Sequence, residues 1–471
     1  MWPLRSIFFF VVFWATCFAA LTNPVWGLIN YMLVYQINPA NTWWGKPLTD
    51  LGIRFSLVAA VFTVAGLFIA RRTVPIVRPA ISMWEIGAVL LVLIAGINLA
   101  VAVPPDDISY FIFEKLWKVV IFIMILTRLA STRENLRVVI WTLVAGTMYI
   151  GYDAYTAPEW RFVLGRLDKV GGPDISTTSG VAAHLVAMLP LIGTAFLTSS
   201  LWRTRLFALL SGALAVNTVV MCRTRSAFIG FACGVAAAFL LTPRARRFRI
   251  HALIVIGAIA AFSLTDQNFW DRMATLTTRS TFETDRAAAT RMEIWQASLR
   301  IFQDHPFGIG VGNFARVIGY YDERHYKRDT HNSLVECFVE LGVQGGVVFL
   351  LMVSGSMWFL WRSVKLADQT RNPLETRIFA YGFFVSFITY FVTAMGTQRL
   401  YCESFWWVLS LPLCLYRVVR REMEQEATET SDAPEGAGEA ESPSLVGVSP
   451  DDMPLVLPWE AKRNVPAPGG S

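Results

Sequence analysis

Residues 285–346 read DRAAATRMEIWQASLRIFQDHPFGIGVGNFARVIGYYDERHYKRDTHNSLVECFVELGVQGG and are the one long polar stretch between apolar runs. A helix that sets Arg291, Ile294, Trp295, Leu299 and Phe302 near one face runs as far as His305-Pro306, because proline disfavours helical backbone in the residue before it. A glycine-rich turn, GIGVGN, follows. Then come the pair Tyr320-Tyr321, a basic loop, and His331-Asn332 at the mouth of another apolar helix that carries Glu340, Gly342, Gly345 and Gly346. An arginine on an amphipathic helix and a histidine at a membrane-helix entrance predict a polar site above a bilayer.

Working outward, 54% of the 471 residues are apolar and 16% charged. With repeated apolar runs of roughly 17 to 25 residues, this composition predicts an all-α, polytopic membrane protein rather than a soluble enzyme. The run 7–21 has only Arg5 before it and no small-residue cleavage site ahead of a soluble domain, so it reads as a first span. The six cysteines form no C-x-x-C pair and share no metal-ligand spacing with the five histidines, so neither a disulfide scaffold nor a metal site is expected. The net charge of +6 reflects loop arginines, with no aromatic-interleaved groove for nucleic acid.

Further spans are expected near 52–70, 82–103, 111–127, 138–156, 180–199, 206–221, 227–241, 252–264, 333–361, 378–397 and 404–416, which with the first makes about twelve. A helical segment outside the membrane precedes the third-last of them. Residues 22–51 are apolar and aromatic but broken by Pro24, Pro39, Gly45 and Pro47; they form either a short span or an interfacial segment. If they do not cross, one side receives Arg71, Arg72, Arg78, Arg128, Arg133, Arg137, Arg203, Arg205, Arg244, Arg246, Arg247, Arg249, Arg362, Lys365, Arg417, Arg420 and Arg421. The positive-inside rule then predicts both termini cytoplasmic and the large loop 266–330 extracytoplasmic. Residues 1–421 form the membrane domain. Residues 422–471, rich in Glu, Ala, Pro, Ser and Gly, read as a disordered cytoplasmic tail.

Arg223 and Arg225 sit in CRTRSAFIG, a very short outer turn. Interfacial snorkelling is the bland alternative, yet arginine on the outer side opposes the topology bias, and a guanidinium fork binds phosphate oxygens bidentately. Arg291 taken alone reads first as a helix-surface charge. His331 is either a helix-entrance residue, with Thr330 or Asn332 as cap, or a base near neutral pH. Arg225, Arg291 and His331 are the catalytic candidates; Arg223, Tyr320, Tyr321 and Asn332 are the candidate substrate contacts. His305 reads as a helix terminator. GIGVGN is no dinucleotide fingerprint, since no strand precedes it.

The order R-S-A in a short outer turn, then TR-x-x-x-W, HPFGIGVGNF and HNSLVE…ELGVQGG resembles the O-antigen ligase and polymerase superfamily over about residues 180–416. The N-terminal stretch TNPVWGLINYMLVYQINPANTWW resembles the O-glycosylation ligases associated with exosortase systems. The resemblance implies a metal-independent, inverting transfer of a glycan from an undecaprenyl-diphosphate carrier to a lipid, glycan or protein hydroxyl at the periplasmic face of the bacterial inner membrane, with no cofactor. It also implies that Arg225 and Arg291 are the family's periplasmic arginines and His331 the histidine opening the next span. The loop GGPDISTTSGVAAH departs from an asparagine-rich pattern, which leaves its substrate contacts open. An O-antigen or exopolysaccharide polymerase shares the donor site and differs in acceptor. A lipid-linked glycan flippase would instead place its charges near the bilayer midplane.

Overall fold

The computed structural model describes residues 3–70, 80–242, 247–265, 267–274 and 282–431. Arg71, Arg72, Arg78, Arg244 and Arg246, part of the loop 266–330, and residues 432–471 of the expected tail lie outside the described residues. The chain is helical almost throughout: α1 (Leu4–Thr22), α2 (Val25–Ile37), the single turn α3 (Lys46–Thr49), α4 (Phe55–Ile69), α5 (Met83–Val101), α6 (Asp107–Leu129), α7 (Arg133–Tyr155), α8 (Thr178–Thr198), α9 (Trp202–Cys222), α10 (Arg225–Leu240), α11 (Arg247–Ser263), α12 (Gln267–Ala274), α13 (Phe282–Asp304), α14 (Phe314–Tyr321), α15 (Ser333–Lys365), α16 (Pro373–Ala394) and α17 (Glu403–Ser431). The strands among the described residues are β1 (Phe162–Val163) and β2 (Arg166–Leu167), one antiparallel hairpin.

Among the described residues six helices are long and apolar enough to cross a membrane: α1, α5, α8, α9, α15 and α16; α4 and α10 are apolar but shorter. The expected twelve spans are not reached by this measure. One reason is charge within the helices, since α6 carries Glu114, Lys115 and Lys118 in its middle turns and α17 carries Arg417, Arg420 and Arg421. Helix α8 is the buried centre: residues 180–188 are all buried, and it packs on α7, α9, α10 and α16.

Residues 22–51 do return across the bundle. Asn30 on α2 donates to the Phe13 carbonyl, a Cβ on Gly27 would meet Thr63 of α4, and Leu28, Met32 and Tyr35 join the main core. Two features hide this crossing in the sequence: α2 has only 13 residues, about 20 Å, and is bounded by prolines. The consequence is a correction to the expected placement of the chain ends. Arg5 donates to the Tyr152 hydroxyl (3.1 Å) near the end of α7, whereas Glu422 pairs with Arg133 (2.6 Å) at its start. Helix α7 has 23 residues and is about 35 Å long, so Arg5 and Glu422 lie at opposite ends of the bundle rather than on one side. Helix α17 also runs past 421, and Glu422 is buried, so the membrane domain extends into the segment expected to be tail.

Above the bundle, α13 packs Ile294, Ala297 and Ile301 against Ile309, Phe314, Val317, Ile318 and Val339. The buried face is therefore rotated from the expected one, and Leu299 is 58% exposed. The helix ends at Asp304, before His305-Pro306, as expected.

Candidate functional site

A glycine clamp sets the outer unit on its membrane helix. Ile309 and Gly310 donate to the Val339 and Glu340 carbonyls at 3.0 Å, and Val343 donates to Pro306 O at 2.9 Å. The Glu340 carboxylate accepts from Gly312 N (2.9 Å), Phe314 N (3.1 Å) and the Tyr401 hydroxyl (2.7 Å). A Cβ on Gly308 would stand 2.5 Å from the Glu340 carbonyl oxygen, and one on Gly342 (φ 72°) would overlap the Phe307 backbone. Both conformations and the close approach require glycine. GIGVGN thus serves as a docking turn.

This clamp fixes α13 over the start of α15. Trp295 Nε1 donates to the Thr330 carbonyl at 3.0 Å, and Arg291 lies one turn before Trp295, which sets it over His331. His331 is half-buried with φ 50°, an unusual value for a residue with a side chain. Its neighbours hold it there: Thr330 is fully buried, and Asn332 Oδ1 caps α15 by accepting from Leu334 N (3.0 Å) and Val335 N (3.2 Å). Burial, and then the Arg291 charge, hold the His331 imidazole below its usual range. It is therefore neutral at pH 7 and able to accept a proton.

Arg225 opens α10, where Thr224 makes no side-chain cap, so the first-turn N–H groups and the helix dipole face outward. Its Nε is buried without a hydrogen-bond partner. Burial, and then the Arg225 charge, hold the Arg291 guanidinium below its usual range. The α9–α10 turn, α13 and the start of α15 thus bring Arg291 within electrostatic reach of both Arg225 and His331. Among the described residues no carboxylate lies within salt-bridge distance of either arginine.

The substrate-contact candidates separate. Arg223 (φ 46°) donates from Nη1 to the Gly165 carbonyl (3.0 Å), bracing the hairpin on the turn. Tyr321 donates to Asp304 (2.7 Å), 13 residues and so about 20 Å along α13 from Arg291. Tyr320 beside it is 80% exposed. The tyrosines are not brought to the arginine and histidine cluster.

Two groups lie here that the sequence reading passes over. Arg166, on β2, donates from Nε to the Cys222 carbonyl (3.2 Å) in the same turn. Below His331, buried Arg399 donates through its backbone N–H to Ser333 Oγ (2.7 Å) and from Nη1 to the Asp174 carbonyl (2.9 Å); the Asp174 carboxylate takes Lys115 (3.0 Å) and Glu403 N (2.8 Å). Asp174 belongs to the loop that departs from the asparagine-rich pattern, and it ties α6, α8 and α17 together. Fully buried Glu336 accepts from Gln398 and leaves Oε2 without a partner. Neither group has a motif in the sequence; each is assembled by the fold.

Glu293, Asp322 and His325 bring three ligand atoms within 4.8 Å, a set that could hold a cation. Arg324 pairs there with Asp322 (2.7 Å) and Glu293 (3.3 Å), so the carboxylates already face a positive charge.

Two apolar cavities, of about 480 and 180 Å³, lie among α8, α9, α10 and α11, share Leu189, Val216, Phe231 and Ala258, and reach Thr224 beside Arg225. A larger cavity of about 1320 Å³ among α1, α2 and α7 is lined by none of the candidate site residues.

No curated protein matches the chain. Residues 210–350 match the family model described as O-Antigen ligase. That stretch runs from the middle of α9 through the clamp to the middle of α15 and contains Arg223, Arg225, Arg291, Tyr320, Tyr321, His331 and Asn332; over it the match supports the O-antigen ligase superfamily, membrane glycan enzymes of the ligase or polymerase type.

Proposed function

We propose that the protein transfers a glycan from an undecaprenyl-diphosphate carrier to a hydroxyl acceptor, with inversion, and that Arg225, Arg291 and His331 carry the reaction. The observation that carries this reading is the meeting of two half-buried arginines, without a carboxylate partner among the described residues, beside a histidine that is neutral at pH 7. Two guanidiniums repel unless an anion sits between them, and a diphosphate is the anion their forks fit. As the acceptor oxygen attacks the anomeric carbon, the bond from that carbon to the phosphate oxygen breaks and its electron pair stays on the diphosphate. The arginines stabilise that growing charge, and His331 takes the hydroxyl proton. The linked apolar cavities below Thr224 are of a kind to hold part of the polyprenyl tail, which would enter laterally while the glycan stays in water.

Arg128, Arg133, Arg137, Arg362, Lys365 and Arg417 lie at the end of the bundle away from the site, which supports a cytoplasmic assignment for that end and a periplasmic one for the site. On this orientation α1 enters from the periplasm and α17 leaves into the cytoplasm of a bacterial inner membrane. A ligase is the reading we favour over a polymerase on the N-terminal resemblance, which lies outside residues 210–350.

The test uses the purified protein in detergent with a lipid-linked glycan donor and hydroxyl acceptors offered in parallel. Release of undecaprenyl diphosphate coupled to glycan on an acceptor is expected. Donor movement across liposomes without any transfer would replace the enzyme with a transporter.

A further inference from the structure

The hairpin of β1 and β2 lies between α7 and α8, far in sequence from the family match, yet its second strand reaches the α9–α10 turn. Val163 faces Arg166 across a two-residue turn in which Leu164 (φ 51°) and Gly165 (φ 69°) are both left-handed. That turn geometry suits the twist of a tight hairpin and sets Arg166 in register. Arg166 Nε donates to the Cys222 carbonyl at 3.2 Å, and Nη2 stands 3.5 Å from Thr224 Oγ1. Its guanidinium is thereby pinned against the residue before Arg225, with Nη1 and one Nη2 hydrogen uncommitted.

We propose that Arg166 is a third guanidinium of the diphosphate site, so that the hairpin is part of the donor-binding surface. The proposal rests on the diphosphate reading of Arg225 and Arg291 given above. Burial is the first cause and the Arg225 charge a further one that hold the Arg166 guanidinium below its usual range. Its nearby carboxylate, Asp168, accepts from Thr178 N at 2.9 Å, and among the described residues no carboxylate lies within salt-bridge distance of Arg166. The turn therefore collects like charges from three elements, β2, α10 and α13. A bound diphosphate relieves that repulsion, and three forks match its several oxygens better than two.

A purely structural alternative exists: Arg166 caps the last carbonyl of α9, as a cation at a helix C-terminus does. Arg166→Gln separates the two, since it keeps an amide donor for Cys222 and removes the charge. In detergent, the inhibition constant of inorganic diphosphate and the donor KM are expected to rise about tenfold with an unchanged melting temperature. A lower melting temperature with an unchanged inhibition constant would leave Arg166 as a cap and overturn the proposal. Should Arg166→Gln fail to insert, Arg166→Lys carries the same test: it keeps a cation at the turn without the fork, so a weaker rise is expected and none would overturn the proposal. Arg225→Gln and Arg291→Gln, measured alongside, locate any failure. If they weaken diphosphate inhibition and Arg166→Gln does not, the hairpin alone is excluded; if none does, the diphosphate reading itself falls.

Discussion

One cluster at the site end treats arginine differently from the opposite end of the bundle. At the end away from the site, fully buried Glu85 accepts from Arg417 (2.6 Å) and Arg128 (2.7 Å), and Arg133 lies between Glu375 (3.1 Å) and Glu422 (2.6 Å). At the site end Arg161 and Lys115 follow the same rule, paired with Asp153 (2.7 Å) and Asp174 (3.0 Å). Arg166, Arg225 and Arg291 break it. Desolvated charge is costly unless compensated, so matched pairs hold helices together, whereas this half-buried cluster of one sign is what the proposed diphosphate would neutralise.

Breaking a matched pair should produce the largest loss of stability. Glu85→Ala leaves Arg417 and Arg128 facing a void, and removing one partner of such a pair costs about 3–5 kcal/mol. Melting in detergent should fall sharply while the folded fraction keeps its donor KM; an unchanged melting curve would show that the pair is dispensable. The outer end is positioned by backbone conformation instead. Gly342→Ala forces a left-handed residue into the Phe307 backbone, a strain of about 1–3 kcal/mol before the clash is counted. The outer unit should become protease-sensitive near 306–314, and a resistant variant would contradict the clamp.

A smaller effect concerns pH. Burial first and Arg291 second lower the His331 pKa, so transfer should fail on acidification only below the usual histidine range. Arg291→Gln removes one cause of the lowering. Protonation then becomes easier, and the acid limb of its residual activity should move up in pH; an unmoved limb would uncouple the two residues. The smallest effect is expected at the C-terminus. Ending the chain after Ser431 should leave melting and transfer unchanged, whereas ending it after Arg421 removes Glu422 from Arg133 and should lower the melting temperature. Equal behaviour of the two truncations would deny Glu422 its structural part.

The long apolar runs make most helices legible in the sequence, and the order of the motifs singles out Arg225, Arg291 and His331, whose elements the fold brings together. What escaped was whatever depends on packing. Helix α2 is too short to register as a span and crosses because neighbouring helices cover Asn30 and Gln36. Its crossing sets Arg5 and Glu422 at opposite ends of the bundle. Tyr320 and Tyr321 stand near His331 in sequence, but Tyr321 bonds to Asp304, about 20 Å along α13 from Arg291, and Tyr320 is exposed. Arg166 was invisible for the opposite reason: two-residue strands show no periodicity, and its partner turn lies far along the chain.

The central claim, an arginine pair that holds diphosphate and a histidine that activates the acceptor, is tested most directly by measuring donor binding and glycan transfer separately for Arg225→Lys, Arg291→Lys and His331→Ala in detergent. Each lysine variant should insert normally, bind donor more weakly and lose about 10²- to 10³-fold in transfer, roughly 3–4 kcal/mol. His331→Ala should bind donor as the wild type does and transfer slowly. Loss of donor binding in His331→Ala, with both lysine variants unchanged in both steps, would contradict the account and return the arginines to ordinary interfacial charges.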